Sequence, residues 1–292
     1  MQKITKDILK QIYTKRPENA HKYDYGLLVV IGGSEFYSGA PALAALAAQR
    51  AGVDMVRVIA PKRAADIIAS FSPILAAYPL EDGKVHEGNV STLLFLAEGA
   101  AHTAPGKSCA VIGEGMGRSE ETQKAIRLFL EQTSLPVVID SDAIHATAKQ
   151  HPELVAQKPF LFTPHAHEFL VLTGRDVREA SLEERVKAVR EAAQEFQTTI
   201  LFKGPQDIIS DGATTLVNET GNAYMTSGGT GDVLAGIAGA LIARGESILT
   251  AAAGAAYICG AAGELASERM RDGLVATDVI EKIPDVIYNS SI

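Results

Sequence analysis

The sequence is poor in the residues that mark several common protein classes. It has no tryptophan and only two cysteines, Cys109 and Cys259, which lie in apolar stretches and lack the spacing of metal ligands. This usage argues against a disulfide scaffold and indicates two buried free thiols. Basic residues are outnumbered by acidic ones, with a net charge of −8. Nonspecific binding of nucleic acid through a basic surface is therefore not expected.

Three widespread catalytic motifs are also missing. No Walker-type Gly-x-x-x-x-Gly-Lys-Ser/Thr occurs, which disfavours a P-loop enzyme, and no Gly-x-Ser-x-Gly elbow occurs, which removes the common hydrolase interpretation. The glycines of Gly113-x-Gly-x-Gly117 lack the spacing of a dinucleotide fingerprint and come too late in the chain for a first βα turn.

Long apolar runs and a secretory signal are missing as well. The N-terminal ten residues contain no apolar core of signal-peptide length. The longest nearly uncharged run, residues 247–263, consists mostly of alanine and glycine and falls short of the ~20 apolar residues that span a bilayer. We interpret it as a buried helix and expect a soluble, cytoplasmic protein without a membrane partner.

What the chain does contain is an alternation of short apolar runs and helical segments. Its hydrophobic fraction of 47% suits a globular core, and no linker or repeat interrupts residues 1–292, so we expect a single domain. The alternation predicts an α/β fold with a mainly parallel central sheet and helices on both faces. The predicted strands lie within residues 26–33, 53–60, 108–117, 136–142, 160–165 and 198–204, followed by a hairpin that turns at Asp211-Gly212.

The stretch that organises the chain is the glycine-rich segment from Gly228 to Asp232. A glycine-rich turn that opens into a helix presents unpaired N–H groups at the positive end of the helix dipole, which is a site for phosphate. Asp232 stands where this helix is expected to begin. The local sequence favours a helix N-cap, since aspartate is a preferred capping residue, and the alternative is a reactive carboxylate beside a phosphate.

The predicted sheet changes that balance. In an open parallel sheet, ligands bind outside the carboxyl ends of the strands. The polar and glycine-rich residues of this chain follow its strands and should gather at one edge with the glycine loop: Gly32 to Ser34, Gly113 to Gly117, Asp140, Asp142, Thr163 to Glu168, Lys203 and Gly204. This convergence favours a functional role for Asp232, with Asp142 as the next candidate for a base.

Two of these groups have competing interpretations. His165 and His167 would share a face in an extended chain, but zinc needs a third protein ligand and none is recognisable nearby. We therefore predict no metal site and expect one histidine to contact substrate. The segment from Lys203 to Asp207 is either an ordinary turn at a strand end or a loop that contacts a nucleotide, with Lys203 near the phosphates.

Taken together, these residues resemble the ribokinase-like superfamily, and within it the ADP-dependent NAD(P)H-hydrate dehydratases, over nearly the whole chain. The specific motifs are Gly228-Gly-Thr-Gly-Asp-Val-Leu-Ala-Gly236, Lys203-Gly-x-x-Asp207, Thr163-Pro-His165 with Glu168, Tyr37-Ser-Gly-Ala40, and Gly273-Leu-Val-Ala-Thr-Asp278. Two positions depart from the family pattern. His167 replaces a glycine, and Gly113-Glu-Gly-Met-Gly117 stands where the family favours Gly-Pro-Gly-Leu-Gly.

The resemblance implies a ribokinase-like three-layer sandwich and the repair of hydrated NADH or NADPH. In this chemistry a nucleotide, ADP in bacterial members and ATP in eukaryotic ones, phosphorylates the ring hydroxyl, and loss of phosphate restores the dihydronicotinamide. Mg²⁺ is the expected cation and Asp232 the expected base. The resemblance assigns the nucleotide to Lys203, Gly204, Pro205, Gln206, Asp207, Gly229, Thr230 and Gly231. It assigns the hydrated dinucleotide to Ala40, Gly117, His165 and Asp232.

Two other functions share some of these features. A small-molecule kinase of the same fold, acting on an alcohol such as a vitamin precursor, would use the same loop and Asp232 but leave a stable phosphate ester. A non-catalytic regulatory domain would bind ADP and tolerate the loss of Asp232. The resemblance also leads us to expect a homo-oligomer, most often a tetramer.

Overall fold

The computed structural model of the chain describes residues 1–147 and 154–288. Within these residues, ten strands form one sheet: β1 (Gln2–Lys3), β2 (Leu27–Ile31), β3 (Met55–Pro61), β4 (Ala76–Leu80), β5 (Ser108–Ile112), β6 (Val137–Ile139), β7 (Phe160–Phe162), β8 (Thr199–Phe202), β9 (Asp207–Ser210) and β10 (Thr215–Asn218). Their order across the sheet is β1-β10-β9-β8-β7-β6-β5-β2-β3-β4. All neighbouring pairs are parallel except those of β9, which runs antiparallel to β8 and to β10.

Helices cover both faces of this sheet. In the described part of the chain they are α1 (Asp7–Ile12), α2 (Gly39–Arg50), α3 (Lys62–Phe71), α4 (Val90–Thr103), α5 (Glu120–Gln132), α6 (Asp142–Ala146), α7 (Ala166–Thr173), α8 (Leu182–Phe196), α9 (Thr230–Ala243), α10 (Ile248–Met270) and α11 (Ala276–Tyr288). Side chains of α2, α9, α10 and α11 fill the core on one face, and those of α4, α5, α7 and α8 fill the core on the other.

The strands behave as their composition predicts. Every residue of β2 and β5 is buried, because a parallel strand covered by helices on both faces faces no water. Val29 pairs with Arg57 of β3 on one side and with Ala110 of β5 on the other. The predicted α/β class with a mainly parallel sheet is therefore confirmed, and so is the hairpin, in which β9 and β10 are joined through Asp211-Gly212.

The alanine-rich run lies in one long helix, as predicted. The nearly uncharged run of residues 247–263 begins at its N-cap, and the helix α10 extends from Ile248 to Met270, so that by length and composition alone it could cross a membrane. In the fold, 61% of the most apolar 18-residue stretch of this helix is buried. The small side chains let α10 pack closely against α9 and α11, as a core helix does.

This topology sets the place of the site. The parallel strands all end at the same edge of the sheet, which we call the carboxyl edge. The turn between β8 and β9 lies there too, because β9 runs back from it. Helix α9 begins at this edge, and its last residue, Ala243, lies beside Gly26 just before β2, at the opposite edge.

Candidate functional site

The centre of the carboxyl edge is an ion pair between two strand ends. Asp140 follows β6 and Lys203 follows β8, and their Oδ1 and Nζ atoms are 2.8 Å apart. The hydroxyl of Thr163, which follows β7, donates to the same Oδ1 at 2.6 Å. Asp140 is 2% exposed. Three adjacent strands thus fix one buried carboxylate, and this carboxylate fixes the lysine.

Lys203 is the cation of the site. Its Nζ also lies 3.8 Å from Oε2 of Glu168. Burial alone would lower the pKa of the Lys203 ammonium, but the charges of Asp140 and Glu168 outweigh it and raise the pKa to about 12. The side chain keeps 17% of its exposure. Lys203 is therefore a permanent positive charge that an incoming anion can reach.

His165 and Glu168 form the cap of α7. The amide N–H of His165 donates to Oε2 of Glu168 at 2.9 Å, and the His165 Nδ1 accepts from the amide of Glu168 at 3.3 Å. Burial, followed by the charge of Lys203, lowers the pKa of His165, so its ring is neutral near pH 7. Nδ1 is used in the cap, and Nε2 lies 3.4 Å from Oε1 of Glu168, while 53% of the His165 side chain remains exposed.

His167 does not share an extended face with His165. It lies inside α7, and the two ring centres are 6.3 Å apart. Among residues 1–147 and 154–288, no group of three or more histidine, cysteine, aspartate or glutamate side chains is placed to hold a metal ion.

The glycine loop meets the lysine. Gly229 is the N-cap of α9 with a φ of +95°, and a Cβ there would lie 2.6 Å from Cδ1 of Leu43, so only glycine fits. Thr230 holds the loop closed by donating its hydroxyl to the Met225 carbonyl at 3.0 Å. A Cβ on Gly231 would lie 3.3 Å from Nζ of Lys203. The open amides of the helix start and the lysine ammonium therefore border the same space.

Asp232 lies in the first turn of α9, three residues after the cap. Of the two interpretations of Asp232, the helix N-cap is excluded, because Gly229 takes that position with a backbone conformation that favours glycine. Burial, and then the charge of Asp140, raise the pKa of Asp232 to about 7, against the opposing effect of Lys203. A carboxyl group with this pKa can accept a proton near neutral pH.

The turn from Gly204 to Asp207 is shaped by its own aspartate. Oδ1 of Asp207 accepts from the Gly204 amide at 3.2 Å, and Oδ2 accepts from Nδ2 of Asn218 at 3.0 Å. Burial raises the pKa of Asp207 to about 6. Pro205 is exposed and Gln206 half-buried. Asp207 fixes the turn, and the turn offers its surface beside Lys203.

The remaining predicted residues form the other wall of the edge. Ala40 lies in the first turn of α2, beside Gly115. The Gly117 amide donates to Oδ2 of Asp142 at 2.8 Å, and Arg118 Nε donates to its Oδ1 at 2.7 Å. Both oxygens of Asp142 are thus engaged, which makes it a poorer base than Asp232.

The sequence did not lead us to expect Glu114 among the charged residues of this site. This residue is completely buried, and the charges of Asp140, Asp232 and Lys203 all act on it. The one available signal was its place in the second glycine motif, where the resembled family favours proline.

A doubly wound sheet with a glycine loop, a helix start and an acidic side chain at its carboxyl edge defines the ribokinase-like class. Solved structures of ribokinase-like proteins share this fold. The family model described as NAD(P)H-hydrate dehydratase matches residues 28–285, and the chain therefore belongs to that family.

Individual relatives agree. The chain is 41% identical over 277 residues to the bifunctional NAD(P)H-hydrate repair enzyme Nnr of Pyrobaculum aerophilum, covering 94% of this chain and 53% of the relative. It is 37% identical over 285 residues to the ADP-dependent (S)-NAD(P)H-hydrate dehydratase of Cenarchaeum symbiosum, covering 97% and 96%. The chain thus spans about half the length of the bifunctional relative and nearly all of the single-function one.

A solved structure gives the same result. The ADP/ATP-dependent NAD(P)H-hydrate dehydratase of Bacillus subtilis, crystallised with ATP and Mg²⁺, superposes with a TM-score of 0.80 and 25% identity, covering 99% of this chain and 98% of that one.

Proposed function

We propose that residues 1–292 form a single domain that dehydrates the S form of hydrated NADH and NADPH at the expense of a nucleotide. ADP is the expected nucleotide, and AMP and phosphate are the expected products. The observation that carries the proposal is the meeting of Asp232, the glycine loop and Lys203 at the carboxyl edge of a chain that belongs to this family.

The first step is phosphoryl transfer. The ring hydroxyl of the substrate attacks the terminal phosphorus of the nucleotide, the bond to AMP breaks, and Asp232 takes the hydroxyl proton. Amides at the start of α9 and the Lys203 ammonium face the charge that builds on the phosphoryl oxygens. Lys203 needs no proton exchange for this, because its raised pKa keeps it charged throughout.

The second step is elimination. The ring C–O bond breaks with both electrons leaving on phosphate, and the neighbouring ring carbon loses a proton to restore the double bond. The wall formed by Ala40, Gly117 and His165 holds the dinucleotide, and the turn from Lys203 to Asp207 holds the nucleotide together with Gly229, Thr230 and Gly231. His165 contributes as a neutral, half-exposed ring that its contacts with Glu168 hold in place.

Mg²⁺ is the expected cation. Magnesium is commonly held by substrate phosphates and water with few protein ligands. This suits a site in which the described residues offer no ready-made metal cage. When bound, the ion neutralises phosphate charge during transfer. We place the protein in the cytoplasm as a homo-oligomer, a tetramer by resemblance, with no nucleic-acid or membrane partner.

The test is a product assay. The protein is incubated with hydrated NADH, Mg²⁺ and either ADP or ATP, while dihydronicotinamide absorbance and free phosphate are followed together. We expect the absorbance and the phosphate to rise in equal amounts, and only with nucleotide present. A persistent phosphate ester would identify a small-molecule kinase instead. Nucleotide binding without any turnover would identify a regulatory domain, and turnover without nucleotide would contradict the proposal.

A further inference from the structure

Glu114 is a buried carboxyl group without a partner. It follows β5 and lies against Gly32, with a side chain that is 0% exposed. Neither of its carboxylate oxygens has a hydrogen-bond partner among the residues that the structure describes. The backbone of Glu114 itself favours the charged form of the carboxyl group, but it makes no hydrogen bond to either carboxylate oxygen. An ionised carboxylate in this position would have nothing to replace the water it lost on folding.

Two other acids of the site have donors that Glu114 lacks. Asp140 accepts from Thr163 and Lys203, and Glu168 accepts from the amide of His165. The Lys203 ammonium is within ion-pair distance of Asp140 and Glu168. The cation that could balance Glu114 is thus engaged by carboxylates that hold it directly.

The charges that face Glu114 are mainly negative. Asp140 lies at the end of β6 and Asp232 at the start of α9, and Lys203 is the opposing charge from the end of β8. The neighbouring segment Gly32–Ser34 and the first turn of α2 carry no titratable side chain. Burial above all, and then the charges of Asp140 and Asp232, raise the pKa of Glu114 well above its ordinary value.

We propose that Glu114 is an uncharged carboxylic acid in the working protein, and that its ionisation at alkaline pH weakens phosphate binding in the adjoining nucleotide site. The first half stands on the burial and the missing donors alone. The second half rests on the proposed function, since it requires a nucleotide whose phosphates occupy the space beside Lys203. An uncharged Glu114 then adds no negative charge to the surroundings of the incoming phosphates.

The first half is tested by stability against pH, with no ligand present. The unfolded chain releases the Glu114 proton above about pH 4.3, whereas the folded protein keeps it, so folding of the parent weakens as pH rises through this window. Glu114→Gln removes that loss. We expect the melting temperatures of parent and E114Q to coincide near pH 4.5, and E114Q to become the more stable protein by pH 8.

A second variant and a control complete this experiment. E114L should be at least as stable as the parent at pH 8, because an apolar side chain needs no hydrogen bonds. E98Q, at an exposed position on α4, controls for the removal of one carboxylate. If both E114Q and E114L are less stable than the parent at pH 8, or if the E114Q difference does not change with pH, Glu114 is ionised and the proposal is wrong.

The second half is tested by calorimetric titration with ADP and Mg²⁺ from pH 7 to 9.5. At pH 7, parent and E114Q should bind ADP equally, because both side chains are neutral. Once Glu114 ionises at alkaline pH, the parent should bind roughly threefold to thirtyfold more weakly than E114Q, the range expected for one added negative charge nearby under strong to partial screening. An affinity ratio that stays constant overturns this half. Failure of the parent to bind ADP at any pH would instead count against the proposed function.

Discussion

Charged side chains lie at both edges of the sheet, but an arginine bound to a backbone carbonyl lies at one, and several acids around a single lysine lie at the other. At the opposite edge, Arg244 follows α9, donates to the Gly52 carbonyl at 2.8 Å, and lies over the ring of Tyr13 at 4.8 Å. At the carboxyl edge, burial and then the negative charge of Asp140 raise the pKa values of both Glu114 and Asp232, and Lys203 opposes this effect.

The charged residues at the two edges therefore have different roles. Contacts of Arg244 connect α9 to the end of α2 and to α1, and they stabilise the fold. Glu114 and Asp232 at the carboxyl edge are held with raised pKa values, which costs stability and, under the proposed function, makes Asp232 a proton acceptor. Removing an acid with a raised pKa from the carboxyl edge should impair activity and spare stability, and removing Arg244 from the opposite edge should do the reverse.

Asp232→Asn should give the largest effect. Asparagine keeps the shape of the side chain but cannot accept the hydroxyl proton, so the single-turnover rate should fall roughly 10²–10⁴-fold. ADP affinity should be retained, since the backbone amides are unchanged. The variant should be at least as stable as the parent at pH 8, because the raised pKa of Asp232 makes its ionisation unfavourable to folding. A folded variant with more than about a tenth of the parental rate would assign the base elsewhere.

Lys203→Met should weaken both ADP binding and the stability of the fold. Loss of a charge-assisted contact to phosphate should weaken ADP binding by about 1.5–3 kcal/mol in calorimetry. It also leaves the buried Asp140 without its cation, which costs up to about 3–5 kcal/mol for a fully buried pair and less here, since Lys203 is 17% exposed. The double variant D140N/K203M should regain stability but not affinity. Unchanged ADP affinity in K203M would show that Lys203 has only a structural role.

Arg244→Met tests the opposite edge. The loss of a buried charged hydrogen bond should lower the free energy of unfolding by about 1.5–3 kcal/mol, while the rate per folded molecule stays at the parental value. Arg16→Met is the matched control. It donates to the same Gly52 carbonyl at 2.9 Å, but its side chain is 47% exposed, so it should cost less than about 1 kcal/mol. A loss of activity in R244M at a temperature where it is folded would break the contrast between the edges.

Much of this arrangement was predictable from sequence, because local patterns encode it. Apolar runs that end in glycine or carboxylates gave the parallel strands, and the rule that ligands bind at strand ends brought Lys203 and Asp232 together. Ser181 and Glu184 have the spacing of a capping box in the sequence, and this box forms at the start of α8. These features depend on neighbours in sequence, which is why the sequence reveals them.

The pairings inside the site were not predictable. The bond between Lys203 and Asp140 joins residues 63 positions apart and depends on the order of β6, β7 and β8 in the sheet. The local sequence could not decide whether Asp232 caps the helix, because several adjacent residues could start it. The packing of Gly229 against Leu43 explains why that position must be glycine. The burial of Glu114 likewise depends on tertiary contacts.

The most direct test of the central claim, that Asp232 is the base of a nucleotide-dependent dehydration, is the pH dependence of the single-turnover rate with saturating ADP and Mg²⁺. A base works only when ionised, so a pKa of about 7 predicts a rate that rises about tenfold per pH unit below pH 7 and levels off above it. The residual rate of D232N should lack this rise, which separates the titration of Asp232 from that of the nucleotide. A parental rate that is constant from pH 5.5 to 8.5, or the same rise in D232N, would contradict the account.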